Sequence, residues 1–360
     1  MDKQEKYSSL HDDLQFPYED KNHTEYDSEK GYPHRLSGVG EKGEHSVIQR
    51  FRQFGVSAED LHQVGITNPM EMTQEQYVRI VSEAVRRQYD TVFGSVFIHW
   101  SETKDGRDQF EAIQRIARGY GRWGLNLVRK FSDAKTDKTN LVIALEGADF
   151  VRDLGDIQKA YDLGIRSINL QYNSPNALAT AEGLTDLGRQ ALIEMFKKGI
   201  VVDLAHANQH ARKDILEMAE IEGRGSLVAY THGAMSEDIV RDFQFSSVAE
   251  SRGITLDEFK RIVRMKGVVG LGATRPFFQS IEHLAERIDQ LIQIENAPNS
   301  LGLGTDLGGV APMWTVGIEK IGDLYKLGDV LSERFGMPDA TIKNIVRNNV
   351  SNWVKETIGK

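Results

Sequence analysis

Four residues whose side chains can bind a metal ion or transfer a proton come directly after short apolar runs: Glu146, His206, His232 and Asp306. Glutamate and histidine are ligands for a hard or borderline divalent metal, and an aspartate can act as a general base. The ends of parallel barrel strands converge on one axis, so four such residues can share a site. One histidine after a strand is more often a capping or hydrogen-bonding residue. The joint pattern on four runs therefore indicates a metal site.

A His-x-Asp pair, His11 and Asp13, lies near the start of the chain. Residues i and i+2 of an extended strand face the same side, so both side chains can address one metal ion. The preceding residues 7–10, Tyr-Ser-Ser-Leu, make a poor strand. Taken alone, the pair is therefore more often a surface feature than a pair of ligands.

Two other polar residues lie close to His206 along the chain. Asp203 falls inside the apolar run that precedes His206, where we expect a buried structural role beside the ligands. His210 has the four-residue spacing of a helical ligand pair with His206. However, His206 ends a strand, so the two do not share a helix face, and we expect His210 to be exposed.

The composition limits the classes of site and partner. The 360 residues are 40% hydrophobic and 27% charged, which is typical of a globular protein with a core. The formal net charge of -9 argues against a nucleic-acid partner bound through a broad basic patch. The lack of cysteine excludes disulfides, thiolate zinc sites and a cysteine nucleophile. Any metal must be held by His, Asp and Glu, which suits zinc, manganese or iron.

The chain shows no targeting or membrane segment. Residues 1–15 are polar and charged and do not resemble a secretory signal. No apolar stretch approaches the roughly 18 residues of a membrane-spanning helix. We therefore expect a cytoplasmic protein with no membrane partner, unless a leader has been removed.

The elements that must position these residues follow an alternating pattern. Short β-rich runs alternate with helical patterns, which predicts parallel βα units. The runs are 91–99, 140–146, 166–171, 200–204, 226–231, 268–273 and 300–305, with a weaker candidate at 7–14. Eight strands of this kind can form an open doubly wound sheet or close into a (β/α)8 TIM barrel. The barrel is favoured because polar residues end many different strands and do not cluster at one switch point.

The helices between these runs carry start and stop signals. Thr185 precedes a helix that Gly199 ends, and Thr255 with Glu258 forms a capping box before a helix that Gly267 closes. We expect one hydrolase barrel domain over 1–360, in which 1–46 is a polar N-terminal arm. A long connection at 233–253 follows the strand of His232, and we expect it to be a lid or a substrate loop.

Several stretches resemble the membrane (renal) dipeptidase family. Residues 183–188, Gly-Leu-Thr-Asp-Leu-Gly, and 199–206, Gly-Ile-Val-Val-Asp-Leu-Ala-His, closely resemble that family. Residues 145–148 and 161–166 look like its first signature stretch, and 230–232 and 302–306 resemble its later strand ends. The resemblance covers roughly residues 140–355. It implies a dinuclear zinc peptidase of the amidohydrolase superfamily, which hydrolyses dipeptides with a metal-bridging hydroxide.

The resemblance also implies roles for single residues. Glu146 would bridge two divalent metal ions, most simply Zn²⁺, with His206 and His232 completing one ion and His11 and Asp13 the other. Asp306 would transfer the proton. Arg252, just before Gly253-Ile254-Thr255, falls where the family carries an arginine that grips the substrate carboxylate. A small-molecule dipeptide is the implied partner, and relatives are often homodimers.

The sequence also departs from the family pattern. Tyr172 stands where the best-known members have a histidine that contacts the substrate carbonyl, and it could donate to a developing oxyanion. Gly308 replaces a second aspartate, and the loop before Arg252 is longer than usual. Two alternatives therefore stay open. One is another amidohydrolase acting on N-acyl amino acids or related amides and esters, and the other is a catalytically degenerate barrel that binds a ligand or partner.

Overall fold

The computed structural model describes residues 6–12, 51–63, 66, 74–97, 121–122, 124–240, 251–306 and 315–359. Its strands are β1 (Tyr7–Asp12), β2 (Tyr89–Phe97), β3 (Asn126–Leu127), β4 (Asn140–Glu146), β5 (Ile165–Asn169), β6 (Ala179–Thr180), β7 (Gly183–Leu184), β8 (Val201–Asp203), β9 (Val228–Tyr230), β10 (Val268–Leu271) and β11 (Leu301–Leu303). Its helices are α1 (Ala58–Gln63), α2 (Gln74–Gln88), α3 (Leu154–Leu163), α4 (Asp186–Lys198), α5 (Gln209–Ile221), α6 (Leu256–Arg264), α7 (Ile281–Ile292), α8 (Ala297–Ser300), α9 (Leu324–Phe335), α10 (Asp339–Lys343) and α11 (Asn349–Thr357).

The large sheet closes on itself as a barrel. Its strand order is β2-β1-β11-β10-β9-β8-β5-β4-β3, and β2 also pairs with β4. That additional pairing joins seven residue pairs, from Thr91 with Asn140 to Phe97 with Glu146, all in parallel register. Leaving aside the short β3 beside the start of β4, the ring contains eight parallel strands. The predicted TIM barrel is therefore confirmed.

The apolar runs of the sequence become the barrel wall. Every residue of β4, β5, β8, β9, β10 and β11 is buried. Continuous burial of this kind is what a parallel strand requires when the barrel interior covers one face and helices cover the other. The weak candidate near the N-terminus is also a strand, because β1 pairs in parallel with both β2 and β11.

The predicted helix starts are confirmed. The Thr185 side chain accepts a hydrogen bond from the Gly188 amide at the start of α4, and Gly199 ends that helix with a φ of 65°. Thr255 and Glu258 form the expected capping box at the start of α6. The predicted end of α6 was wrong in one detail, because the helix ends at Arg264, three residues before the glycine expected to close it.

At the end of α6, the left-handed residue is Lys266, with a φ of 63°, one position before Gly267. Glycine is needed at 267 for another reason, because a Cβ there would lie 2.5 Å from the Val228 carbonyl oxygen. Position 267 therefore requires glycine because this turn passes close to the start of β9, and not because the backbone there adopts a left-handed conformation.

Two predicted features lie partly outside the described residues. Of the polar arm 1–46, the structure describes only 6–12, and of the long connection 233–253 it describes all but 241–250. Among the described helices, none has both the length and the apolar character that crossing a bilayer requires.

The C-terminal helices close the end of the barrel where the strands begin. α10 and α11 are joined by a π-helical turn over Asn344–Asn348. The Trp353 ring stacks on Phe93 of β2, with centroids 6.1 Å apart, and its indole Nε1 donates to the Ser226 carbonyl oxygen just before β9 at 3.0 Å. β2 and β9 are four places apart in the ring of eight strands, so Trp353 contacts opposite sides of the barrel.

Replacing Trp353 should therefore destabilise the barrel. Trp353→Ala removes a side chain that is 7% exposed, and should lower the free energy of unfolding by about 3–5 kcal/mol, measured by urea denaturation. Ile221→Ala, at a side chain that is 81% exposed, is the control and should change it by less than about 0.5 kcal/mol. Equal unfolding midpoints for the two variants would contradict this role of Trp353.

Candidate functional site

Three side chains converge at the end of the barrel where the strands finish. Glu146 is the last residue of β4, and His206 and His232 follow β8 and β9 within three residues. The His206 Nε2 lies 3.1 Å from the Glu146 Oε1 and 2.9 Å from the His232 Nε2. The His232 Nε2 lies 3.6 Å from the same Glu146 oxygen. All three residues are buried, so their donor atoms face one another away from bulk water.

The spacing of these atoms fits a metal ion. Zinc bonds of about 2.0–2.1 Å in a tetrahedral arrangement separate neighbouring ligand atoms by about 3.3 Å. The three observed separations, from 2.9 to 3.6 Å, bracket that value. Among the described residues, these three form the group of histidine and acidic side chains that can hold an ion. A donor set of two imidazoles and one carboxylate matches a borderline divalent cation.

The orientation of His206 is set by the turn that follows the neighbouring strand, β5. Its Nδ1 lies 2.8 Å from the side-chain Oδ1 of Asn173, and the backbone N–H of Asn173 donates to the His206 carbonyl oxygen at 3.3 Å. An amide oxygen only accepts hydrogen bonds, so Nδ1 carries the proton and Nε2 keeps its lone pair. The Tyr172 ring stacks on the imidazole with centroids 4.2 Å apart. His206 is therefore held with its free nitrogen toward Glu146.

His232 is oriented by a second set of contacts. The Thr231 hydroxyl lies 3.0 Å from the His232 Nδ1 and donates to the Asp203 Oδ2. Because the hydroxyl proton goes to the carboxylate, the Thr231 oxygen accepts from the Nδ1–H of His232. The Nε2 of His232 is then also unprotonated and faces that of His206. Outer contacts of this kind usually fix the tautomer of metal-binding histidines.

The backbone at the site is held in uncommon conformations. Among the described non-glycine residues, positive φ values occur at Asn173 (56°), His206 (66°) and Asp306 (56°), besides Lys266 and Asn296. Such conformations cost of order 1–3 kcal/mol each and persist where the surrounding structure imposes them. Three of these five residues therefore belong to the candidate site: His206 and Asp306 were singled out in the sequence, and Asn173 contacts His206.

Asp306 lies at the same end of the barrel. It follows β11 by three residues and is 7% exposed. Gly304 lets the chain reach this place, because a Cβ on it would lie 1.8 Å from the Thr231 carbonyl oxygen and 3.0 Å from the His232 Cβ. The end of β11 therefore lies against the turn that carries His232.

Arg252 has two hydrogen-bond donors for which the described residues supply no acceptor. Its Nε and Nη2 atoms are buried and have no hydrogen-bond partner there. Its guanidinium lies over the Phe277 ring at 5.2 Å. The segment that carries it runs beside the turn after His232, since Met235 and Ile254 form a parallel bridge. Buried donors of a charged group are costly to leave without acceptors, and an anionic ligand would satisfy these two.

The remaining residues that the sequence singled out are His11, Asp13, His210 and Asp203. His11 belongs to β1, whose backbone pairs into the barrel, but its side chain and all of Asp13 lie outside the described residues. His210 is exposed, as predicted. Asp203 is buried, also as predicted, and accepts hydrogen bonds from the backbone amides of Ala205 and Thr231. The contributions of Asn173 and Thr231 were not predicted; the position of Thr231 next to His232 was the one signal available.

The burial of Asp203 gives the free energy of unfolding a pH dependence. Burial raises the pKa of Asp203 to about 6 from 3.8. The folded protein then binds this proton more tightly than the unfolded chain does. The stabilisation is complete below about pH 4 and is lost as the pH rises through about 6, by on the order of 3 kcal/mol. Asp203→Asn does not titrate and should lack this loss in urea unfolding measured across that range.

A matched control for this experiment is Asp257→Asn, at an exposed position of α6. It should follow the wild type at every pH. If Asp203→Asn and the wild type lost stability in parallel, the buried carboxyl would not be the titrating group.

Comparisons with known proteins agree with this architecture. The family model described as membrane dipeptidase (peptidase family M19) matches residues 47–358. An uncharacterized dipeptidase of Schizosaccharomyces pombe is 24% identical over 281 residues, which cover 71% of this chain and 62% of that protein. The dipeptidase tcpJ of Claviceps purpurea is 23% identical over 279 residues, covering 72% and 61%. The chain thus spans about three fifths of the length of these two relatives.

Solved structures show the same fold. A metallopeptidase from Rhodobacter sphaeroides is 15% identical with a TM-score of 0.65, and the match covers 98% of this chain and 99% of that one. A dipeptidase of family M19 is 17% identical with a TM-score of 0.64, covering 78% and 88%. Because the family model matches nearly the whole described barrel, this chain belongs to the membrane dipeptidase family, peptidase family M19.

Proposed function

We propose that this protein is a metal-dependent dipeptidase that hydrolyses the peptide bond of dipeptides. The observation that carries the proposal is the convergence of Glu146, His206 and His232, with two imidazole nitrogens 2.9 Å apart and a carboxylate oxygen beside them. Two lone pairs at that separation repel each other unless a cation lies between them. Family membership supports the same reading.

The proposed site holds two divalent ions, most simply Zn²⁺. His206 and His232 would hold one ion, His11 and Asp13 the other, and Glu146 would bridge them. The ring order supports this arrangement, because β2 alone separates the strand of Glu146 from β1, while β8 and β9 lie on the other side of β4 beyond β5. When bound, such ions lower the pKa of a coordinated water to about 7 and polarise the scissile carbonyl.

Two residues of the site would act on protons and developing charge. Asp306, buried at the end of β11, would accept a proton from the attacking water and return it to the leaving amine. Tyr172 stacks on His206, which keeps its phenol close to the ligands. It would donate a hydrogen bond to the carbonyl oxygen as negative charge develops there.

Arg252 would bind the C-terminal carboxylate of the substrate. Its buried Nε and Nη2 atoms lie on one edge of the guanidinium, and a carboxylate matches that edge with two parallel hydrogen bonds. Two such donors on one edge favour substrates with a free carboxylate over amides and esters that lack one. Both dipeptides and N-acyl amino acids satisfy it, so a substrate panel must separate these classes.

The panel should include both configurations of the C-terminal residue. The Rhodobacter sphaeroides metallopeptidase was solved with a phosphinate mimic of the dipeptide L-Ala-D-Ala. We propose that this chain accepts a D residue at the same side. L-Ala-L-Ala, L-Ala-D-Ala and N-acetyl-alanine then test the substrate class directly.

The zinc-loaded protein should cleave the dipeptides and spare N-acetyl-alanine. His206→Ala should lower kcat/KM by about 10³-fold or more, because the loss of a ligand removes several kcal/mol of transition-state stabilisation. Metal analysis should show less zinc per chain in that variant. His210→Ala is the control, because His210 is exposed four residues away, and it should retain zinc and activity.

Full zinc content and normal activity in His206→Ala would contradict the metal assignment. Hydrolysis of N-acetyl-alanine but of neither dipeptide would assign the protein to the other amidohydrolase class. A protein that binds zinc and cleaves none of the three would favour the degenerate barrel.

Arg252→Ala should raise KM for a dipeptide by about 10–100-fold, because hydrogen bonds to a charged group contribute about 1.5–3 kcal/mol. The same variant should leave kcat/KM for the corresponding dipeptide amide nearly unchanged, since the amide lacks the carboxylate. Steady-state kinetics on the acid and amide pair measures both. An unchanged KM for the acid would remove Arg252 from substrate binding.

A further inference from the structure

Three successive carbonyl groups around Arg252 are held by buried side chains. The Ser251 oxygen accepts from the Arg212 Nη1 at 3.0 Å, and the Gly253 oxygen accepts from the Arg212 Nη2 at 2.9 Å. Between them, the Arg252 oxygen accepts from the Tyr230 hydroxyl at 2.9 Å. The backbone on both sides of the Arg252 side chain is therefore fixed by side chains from two other elements.

Arg212 joins this segment to the turn that carries His206. It lies in α5 and is 2% exposed. Its Nη1 also donates to the carbonyl oxygen of Ala207, the residue after His206, at 2.7 Å. Its Nε donates to the Glu258 Oε1 at 2.8 Å, and Glu258 also accepts from the Thr255 amide at the start of α6. One guanidinium thus connects α5, the His206 turn, the Arg252 segment and α6.

Tyr230 connects the same segment to the strand of His232. It is the last residue of β9, two positions before His232. Its hydroxyl also accepts from the Ala234 amide at 3.1 Å. Gly233 permits this contact, because a Cβ there would lie 1.9 Å from the Tyr230 hydroxyl oxygen. The turn after His232 is therefore built around the hydroxyl that holds the Arg252 carbonyl.

A buried ion pair of this kind is not needed for stability alone. Desolvating an arginine and a glutamate costs about as much as their attraction returns, and apolar residues of similar size often stabilise a fold as well or better. What the pair does provide is direction, because a planar guanidinium donates along fixed lines. Its donors reach the carbonyls of residues 207, 251 and 253, next to a proposed ligand and next to the proposed carboxylate-binding residue.

We propose that Arg212 and Tyr230 are positioning residues that fix the Arg252 guanidinium relative to the metal ligands and so set the preference for substrates with a free carboxylate. The inference rests on the proposed role of Arg252. A small rotation of the backbone at residue 252 moves the end of its long side chain much further than the backbone itself. A displacement of about 1 Å in a positioning group can cost as much as 10²-fold in rate.

The test measures a selectivity ratio, defined as kcat/KM for a dipeptide divided by kcat/KM for its amide. Tyr230→Phe removes only the hydroxyl, and Arg212→Lys keeps a cation beside Glu258 but cannot reach both Ser251 and Gly253. Each should lower the ratio by about 10-fold, because kcat/KM for the dipeptide should fall much further than kcat/KM for the amide. A purely structural role would lower both kcat/KM values together and leave the ratio intact.

Arg166→Lys is the matched control. Arg166 is also buried and donates to backbone carbonyls, those of Arg129, Tyr161 and Ile165, but it lies at the opposite end of the barrel, where β5 begins. Its replacement should leave the selectivity ratio at the wild-type value. A fall in that ratio equal to the fall in Arg212→Lys would assign the effect to general loosening and overturn the proposal.

Arg252→Ala distinguishes carboxylate binding by Arg252 from the positioning of its side chain by Arg212 and Tyr230. If it leaves the ratio unchanged, the proposed role of Arg252 fails. If it abolishes the preference while Tyr230→Phe and Arg212→Lys both keep the wild-type ratio, Arg252 binds the carboxylate and the positioning proposal is wrong. Should Arg212→Lys fail to fold, Tyr230→Phe alone decides, since it conserves shape.

Discussion

The candidate site depends on one crowded arrangement, in which one imidazole nitrogen from each of His206 and His232 and a Glu146 oxygen lie within 3.6 Å of one another in a buried place. Nothing in the three side chains alone favours this geometry. It is maintained because Asn173 orients His206, and Thr231 with Asp203 orients His232. The backbone at His206 also adopts a left-handed conformation. Such a cost is expected where a structure is arranged in advance for a cation.

Closure of the barrel makes the arrangement possible. The ring places β4, β5, β8 and β9 side by side. β4, β8 and β9 supply the three converging residues, and the turn after β5 supplies Asn173, which orients His206. Asp306 follows β11, two places beyond β9 in the ring, and Gly304 lets the end of β11 lie against the turn that carries His232. Each group thus takes its place from strand order and not from sequence proximity.

The sequence predicted the parts of this design that depend on residue type and local pattern. Apolar runs gave the strands to within a few residues, and the capping residues Thr185 and Thr255 marked real helix starts. The ligand-type residues at strand ends were visible because a polar residue after an apolar run is locally conspicuous. The π-helical turn at Asn344–Asn348 was not predicted, because the apolar spacing there also suits an unbroken helix.

Contacts between segments that are far apart along the chain could not be predicted from the sequence. Asn173 and His206 are separated by 33 positions, and no period or motif links them. Arg212 reads as an ordinary polar residue of an amphipathic helix, yet it is buried and bonded to three backbone carbonyls. Only the assembled barrel shows that Glu258 compensates its charge. The groups that hold the site in place were therefore harder to foresee than the groups that form it.

The central claim is that Glu146, His206 and His232 bind one ion together. Diffraction from zinc-loaded crystals at the zinc absorption edge tests it most directly. The account predicts an anomalous peak about 2.0–2.2 Å from the Nε2 atoms of His206 and His232 and from a Glu146 oxygen. Zinc bound elsewhere on the chain, with these three side chains left unligated, would contradict it.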